Sequence, residues 1–355
     1  MTRLIQRFLL IWLSLLSLAA YYWPRFGIPL DPFEHMDEIL AYLIIVTMFG
    51  VGWMLPLNEI KNVASQWPKI IGGTLTQFLV MPILALGIGI GCGLSGDHLV
   101  GVILVGCVPG AMASNVLTIV SKGNASYSVS LTTLATIVSP VAVPAMLAIS
   151  ATLVDESTRK VIESAGSESG NVYLGSGFRL LKWVVLPVVA GFTMGRLLPQ
   201  YEATAKIVGS NVANLAILLI VATVVGTNRN ELAELTPIIF GCLLLLNFLG
   251  YVGGFSGGSL MKLPHPMKRA LTLEVGMQNA GLGAVLAKDL FDKVDKERLT
   301  EAIAPAIENA GSAVAIAPVF YTFFCMFTGT ILAWYWSSKP VLGAEPHKVS
   351  QHEHD

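Results

Sequence analysis

The sequence predicts an all-α polytopic membrane protein with about ten transmembrane helices. Hydrophobic residues make up 54% of its 355 residues and charged residues only 13%, about half the charged share of a soluble domain. Apolar runs long enough to cross about 30 Å of hydrocarbon recur along the whole chain. Two of these runs, half a chain apart, contain polar, glycine-rich breaks with the sequences GCVPGAMASN (106–115) and EVGMQNAGLG (274–283).

The first five spans are predicted within residues 1–155, from apolar runs bounded by charged residues, proline or glycine. They cover residues 8–23, 37–56, 68–95, 99–121 and 124–150. Span 1 has an alternative interpretation, because Arg3 and Arg7 precede a short apolar stretch that also resembles a cleavable signal peptide. Span 4 contains the first break, and span 5 contains Pro140.

A second set of five spans is predicted within residues 177–338, after a hydrophilic linker at 156–176. These spans cover residues 177–198, 205–227, 236–261, 268–291 and 305–336. Similar features recur at offsets between about 165 and 180 residues. Asn58 and Asn230 follow spans 2 and 7, the broken span 4 corresponds to the broken span 9, and Pro140 corresponds to Pro318. An odd number of spans in each repeat requires the second repeat to be inverted in the membrane.

The distribution of Lys and Arg predicts the orientation of the chain. Segments on the side of the N-terminus carry most of the basic residues, whereas the short loops on the other side carry only Arg25 and Arg229. Basic residues favour the cytoplasmic side, so both termini are expected in the cytoplasm, with the chain in the cell (inner) membrane. The external segment 288–301 is expected to form a surface helix, and the tail 339–355 to be disordered.

Charge and cysteine content argue against several other classes of protein. A formal net charge of −1 is not typical of nucleic-acid-binding proteins. The four cysteines lie in apolar runs without metal-ligand spacing, so we expect no transition-metal site. No histidine lies inside a predicted span, so the paired nucleophile and base of a membrane enzyme are not expected.

Glu274 is the acidic residue predicted near the middle of an apolar run. A carboxylate at that depth costs several kcal/mol unless it is paired or coordinates an ion. Uncharged oxygen donors are predicted at a similar depth: Gln77, Ser114, Asn115, Ser128, Thr132, Gln278 and Asn279. Such donors suit a hard cation such as sodium. The alternative for Gln77, Ser128 and Thr132 is that they only tie helices together.

A pair of broken helices in corresponding halves is typical of secondary transporters, in which unwound backbone carbonyls coordinate ions. A channel is disfavoured, because a buried carboxylate among oxygen donors would bind an ion too strongly for fast exit. A proton-coupled organic-anion carrier is an alternative function, since Glu274 could carry a proton in place of sodium. A metalloid-efflux carrier, with Cys107 or Cys325 as a thiolate ligand, is a further alternative.

The segment 106–140, GCVPGAMASNVLTIVSKGNASYSVSLTTLATIVSP, resembles a signature of the bile acid:sodium symporter family, and EVGMQNAGLG resembles its second signature. The resemblance extends from about residue 40 to residue 336. It implies ten helices in two inverted five-helix repeats. Spans 1, 2, 6 and 7 would form a panel on which Leu13 faces lipid. Spans 3–5 and 8–10 would form a core in which the broken spans 4 and 9 cross.

Carried over position by position, the resemblance implies two bound sodium ions. The first site would use Ser114, Asn115, Ser128, Thr132 and Glu274. The second would use Gln77, Glu274, Gln278 and the backbone carbonyls of Val275 and Met277. Two sodium ions against the shared carboxylate leave a charge of about +1, and helix N-termini at the breaks add positive potential. The expected cargo is therefore a small organic anion. A single chain in the bilayer would be sufficient for transport.

The sequence departs from the family pattern where the cargo should bind. The expected substrate cavity is lined by Met112, Asn279, Cys325, Met326 and Thr328. Many bacterial relatives have Thr at the position of Met112, and an HNxSG segment where this chain has CMFTG (325–329). The His and Asn side chains of that segment are therefore absent here, so the expected cavity lacks two polar groups. The sequence does not distinguish among four classes of cargo: bile acids, steroid sulfates, pyruvate and other 2-oxo acids.

Overall fold

The structure is a computed structural model that describes residues 9–28, 31–33, 36–54, 66–164, 177–178, 180–229, 232, 237–291 and 310–339. Several predicted features lie outside these residues: Arg3 and Arg7, the loops at Asn58 and Asn230, residues 165–176 of the linker, most of the segment 288–301, and the tail beyond residue 339. Within the described residues, all regular secondary structure is helical, apart from an isolated β-bridge between Gly110 and Gln278. The prediction of an all-helical chain is confirmed for this part.

The first half contains seven α-helices among its described residues. They are α1 (Leu9–Tyr22), α2 (Asp37–Met54), α3 (Trp67–Gly91), α4 (Gly96–Cys107), α5 (Ala113–Val120), α6 (Ala125–Ala151) and α7 (Glu156–Ser164). A short 3-10 helix, Trp23–Phe26, follows α1. Helix α7 lies after the last apolar run and is held against α4, because the backbone N–H of Gly96 donates to Oγ1 of Thr158 over 2.8 Å.

The second half adds six α-helices in its described residues. They are α8 (Leu186–Leu197), α9 (Glu202–Thr227), α10 (Pro237–Leu260), α11 (His265–Gly276), α12 (Ala280–Phe291) and α13 (Ala310–Ser337). A π-helical segment, Leu181–Val185, leads into α8, and a 3-10 turn, Pro199–Tyr201, precedes α9.

Five helices of the described residues are long and apolar enough to cross a membrane: α3, α6, α10, Ile207–Thr227 of α9 and Ala313–Ser337 of α13. The sequence predicted about ten spans, and the helix breaks explain part of the difference. Spans 4 and 9 are each divided into two helices of at most 12 residues. A helix of that length reaches only about 18 Å.

The surface of these helices is apolar and their polar side chains point inward, as expected for a chain surrounded by lipid. On α3, Ile83 is 66% exposed and Leu75 is 54% exposed, whereas Gln77 on the inner face is 1% exposed. Helix α6 shows the same pattern, with Val141 exposed while Ser128 and Thr132 are buried.

The helices pack in two groups. In the first, which we call the panel, α2 packs against α8 and α9, and α1 packs against α9. In the second, which we call the core, α3 packs against α4 and α10, α10 against α11, and α13 against α4 and α12. Helix α6 joins the core through α3 and α11. Gly52 and Gly191 allow the close approach of α2 and α8, since a Cβ at either position would lie 2.0 Å from a backbone carbonyl oxygen.

Candidate functional site

The two helix breaks lie side by side in the core. Helix α4 ends at Cys107 and the backbone becomes extended at Val108, while α11 ends at Gly276 and becomes extended at Met277. The backbone N–H of Ala111 donates to the carbonyl of Met277, and that of Asn279 donates to the carbonyl of Pro109, each over 2.7 Å. The breaks therefore pair their freed backbone groups with one another, which lipid could not do.

The carboxylate of Glu274 is fully buried beside this junction. Ser114 Oγ donates to its Oε2 over 2.5 Å, and Thr132 Oγ1 donates to its Oε1 over 2.6 Å. Gly110 leaves room for the carboxylate, because a Cβ there would lie 2.2 Å from Oε1. Helices α5, α6 and α11 thus each contribute one group to a single buried oxygen cluster.

The residues predicted for the first sodium site lie together around this carboxylate. Thr132 Oγ1 is 3.4 Å from Oδ1 of Asn115 and 3.1 Å from the backbone carbonyl of Ser128. The hydroxyl of Ser128 accepts a hydrogen bond of 3.2 Å from Thr118, a buried residue that was not predicted to belong to the site.

Three of the residues predicted for the second site, Gln77, Gln278 and Val275, are joined to one another by hydrogen bonds. Gln77 Nε2 is 3.3 Å from Oε1 of Gln278, whose own Nε2 donates to the backbone carbonyl of Val275 over 2.8 Å. The Oε1 atom of Gln77 is buried and has no hydrogen-bond partner. A buried amide oxygen without a partner fits a cation, since an oxygen atom left dry and unpaired is costly.

A cavity of about 510 Å³ lies between panel and core, next to both groups of oxygen atoms. Asn115, Thr132 and Gln278 line it from the core. Of the residues predicted to line the substrate cavity, four do so: Met112, Asn279, Cys325 and Met326. The panel contributes mainly aliphatic and methionine side chains, including Leu13, Ile44, Met48, Val188 and Ile217.

Two expectations about this cavity differ from the structure. Thr328 does not line it, because its hydroxyl turns to Oδ1 of Asn247 over 2.6 Å, beside a separate crevice lined by Leu244 and Phe248. Leu13 does not face lipid, since it is 1% exposed and lines the cavity.

The burial of three more polar groups was not predicted from the sequence. Asn247 lies in the apolar run of α10, where its amide was visible as a polar interruption. Arg269 donates to the carbonyl of Ser121 over 2.6 Å, and Lys288 donates to Oγ1 of Thr227 over 2.9 Å. The bond from Lys288 joins the core to the panel. The part of the chain that the structure describes holds no group of three or more His, Cys, Asp or Glu residues that could bind a metal.

Apolar helices of membrane length, together with two broken helices that bury a carboxylate among oxygen donors, define a helical membrane transporter. The family model described as "Sodium Bile acid symporter family" matches residues 41–235, and the chain belongs to this family. The predicted family is thereby confirmed. Its members are transporters of a sodium-coupled class, so the chain is a transporter and not an enzyme.

Relatives extend the match along the chain. The "Uncharacterized sodium-dependent transporter YocS" of Bacillus subtilis is 30% identical over 329 residues, which cover 93% of this chain and 90% of the relative. The ileal sodium/bile acid cotransporter of Homo sapiens is 26% identical over 257 residues, covering 72% and 70%. The solved structure of the sodium proton antiporter MjNhaP1 from Methanocaldococcus jannaschii is similar with a TM-score of 0.56 at 12% identity, covering 96% of this chain and all of that one. This last likeness concerns the fold alone.

Proposed function

We propose that the protein is a sodium-coupled symporter of an organic anion, with two sodium ions carried in each cycle. The observation that carries the proposal is the fully buried Glu274 carboxylate, which accepts hydrogen bonds from Ser114 and Thr132 and would be shared between two sodium sites. Sodium in the first site would bind Ser114, Asn115, Ser128 and Thr132. Sodium in the second site would bind the Gln77 and Gln278 side chains and the carbonyls of Val275 and Met277. The strongest support for this second site is the buried Gln77 oxygen, which has no hydrogen-bond partner.

An anion as cargo follows from the charge of the loaded site. Two sodium ions and one carboxylate sum to about +1, and helices α5 and α12 both begin at the breaks, where helix N-termini add positive potential. Among the described residues, the side chains that line the cavity between panel and core are uncharged. The anion would therefore be attracted by bound sodium and helix dipoles, which makes anion binding depend on sodium.

Alternating access would move the core against the panel, with the inverted repeats within residues 1–155 and 177–338 exchanging conformations. With both termini in the cytoplasm, the cavity would extend toward the cytoplasmic ends of α5 and α2, where Ile119 and Met54 line it, as in an inward-open state. The hydrogen bond from Lys288 to Thr227 would then lie at the opposite, external end and would help to hold that side closed.

A proton-coupled carrier is the second candidate, favoured by the two short hydroxyl bonds to a fully buried carboxyl group at Glu274. Both candidates are tested by uptake of labelled taurocholate, a steroid sulfate and pyruvate into proteoliposomes. We expect uptake of at least one anion under an inward sodium gradient and none when potassium replaces sodium. Uptake driven by a pH gradient alone would favour the proton carrier.

A matched pair of serine variants sharpens this test. Ser114→Ala removes a hydroxyl that bonds the carboxylate, and we expect it to weaken sodium dependence. Ser139→Ala removes an equally buried hydroxyl that bonds only the carbonyl of Thr136 in its own helix, and we expect sodium dependence to stay as in the wild type. An equal sodium response in the two variants would contradict the proposed first site.

A further inference from the structure

The backbone carbonyl of Gly276 receives two side-chain hydrogen bonds at the point where α11 ends. Asn247 Nδ2 in α10 donates to it over 2.8 Å, and the Tyr321 hydroxyl in α13 donates to it over 2.9 Å. This carbonyl lies between those of Val275 and Met277, the two backbone groups assigned above to the second sodium site. Three core helices therefore meet at one peptide group.

The side chains that hold this peptide belong to a connected hydrogen-bonded network. Asn247 and Tyr321 are both 0% exposed. Asn247 Oδ1 accepts from the Thr328 hydroxyl over 2.6 Å, and that hydroxyl is 3.1 Å from the Tyr251 hydroxyl. The ring of Tyr251 packs against Gly276 so closely that a Cβ there would lie 2.1 Å from the ring. Polar groups in an otherwise apolar helix cost free energy unless they are satisfied, and here the amide of Asn247 is satisfied on both sides.

The direction in which Gly276 is held determines where its neighbours point. Met277 is extended, with φ −114 and ψ 91, and successive carbonyls of an extended chain point to opposite sides. Because the Gly276 carbonyl is fixed toward α10 and α13, the Met277 carbonyl turns to the other break, where it accepts from Ala111. The Val275 carbonyl, on the preceding turn, lies beside Gln278.

We propose that Asn247 and Tyr321 are positioning residues of the second sodium site. They hold the Gly276 peptide in the orientation that leaves the Val275 carbonyl beside Gln278 and the Met277 carbonyl turned to the other break. Thr328 orients Asn247 in turn. Partners one shell away from an ion fix the orientation of its ligands, and their removal typically lowers metal affinity about 10-fold to 100-fold. This inference rests on the proposed sodium symport.

The test is a sodium titration of the melting temperature of purified protein in detergent, with potassium keeping the ionic strength constant. We expect Asn247→Ala to raise the sodium concentration at half-effect about tenfold, and Tyr321→Phe, which removes one oxygen atom and leaves Asn247, to raise it about threefold. Uptake at saturating sodium should stay within about twofold of the wild type, because the ligands themselves are intact.

Asn228→Ala is the matched control. Asn228 is also 0% exposed and its Nδ2 donates to a backbone carbonyl, that of Val224, over 2.7 Å, but it lies at the end of α9 in the panel. This variant should lower the melting temperature in both salts without moving the sodium midpoint.

The outcomes separate the two proposals. A wild-type protein that responds to sodium, with unchanged midpoints in Asn247→Ala and Tyr321→Phe, would overturn the positioning role and leave the symport intact. A wild-type protein with no sodium response would overturn both. If Asn247→Ala does not fold, the sodium midpoint of Tyr321→Phe alone decides whether the positioning role holds. This variant should fold, since phenylalanine has nearly the same volume as tyrosine.

Discussion

Replacing the Glu274 carboxylate by an amide of the same shape should remove sodium binding without removing the fold. Glu274→Gln keeps an oxygen atom that can accept from Ser114 or Thr132, so the junction of the breaks is largely preserved. It removes the one negative charge that both sites share. Two unit charges about 4 Å apart attract by about 4 kcal/mol at an effective dielectric constant near 20. Since each 1.4 kcal/mol is about tenfold, sodium affinity should fall about a thousandfold.

The melting temperature in sodium and in potassium measures this loss. A ligand present at about 100 times its dissociation constant stabilises the native state by about 2.7 kcal/mol, so the wild type should melt higher in sodium. Glu274→Gln should melt at the same temperature in both salts. In potassium it should be at least as stable as the wild type, because a buried charge has been removed. A sodium shift of wild-type size in Glu274→Gln, or equal destabilisation in both salts, would show that the carboxylate is structural.

Four further variants test other parts of the structure. Gln77→Ala should lower the Hill coefficient for sodium in uptake assays, because it damages one of two sites. Gly110→Ala should abolish sodium-driven uptake, because its Cβ would lie 2.2 Å from Oε1 of the carboxylate. Lys288→Met should increase external maleimide labelling of a cavity probe, Ile217→Cys, in a background without the native cysteines, since it removes a core–panel bond at the external end. Asp155→Ala should lower the melting temperature equally at pH 6 and pH 8. Hydrogen bonds from the first turn of α7 hold the pKa of Asp155 at about 2, so its capping effect is complete above about pH 4 and is lost only as the pH falls through 2.

The polar residues at the breaks could be found in the sequence because they interrupt apolar runs. Glycine, asparagine and a carboxylate have few roles at membrane depth, so Glu274 and the segment around Ser114 stand out without any structure. The structure brings these two together over 2.5 Å, across 160 positions of the sequence.

Helix rotation could not be predicted from the same pattern. Helix α1 has the sequence LLIWLSLLSLAAYY, which is apolar on every side, so polarity does not mark which face meets lipid. Leu13 was accordingly expected at the lipid and lies on the cavity. Thr328 was expected in the cavity because it lies in the segment CMFTG (325–329), where the family pattern places polar groups.

Side-chain pairing within the core was also beyond the sequence. Asn247 has no distinctive neighbours in α10, and its partner carbonyl at Gly276 lies 29 positions away on another helix. The same holds for Tyr321, which is 45 positions from that carbonyl. Only the three-dimensional meeting of α10, α11 and α13 distinguishes these residues from ordinary ties between helices.

Equilibrium binding of radioactive sodium to the purified protein tests the central claim most directly. The shared carboxylate predicts saturable binding of two sodium ions per chain, displaced by unlabelled sodium and not by potassium, and predicts that Glu274→Gln binds none while Ser139→Ala binds two. No saturable binding by the wild type, or undiminished binding by Glu274→Gln, would contradict it.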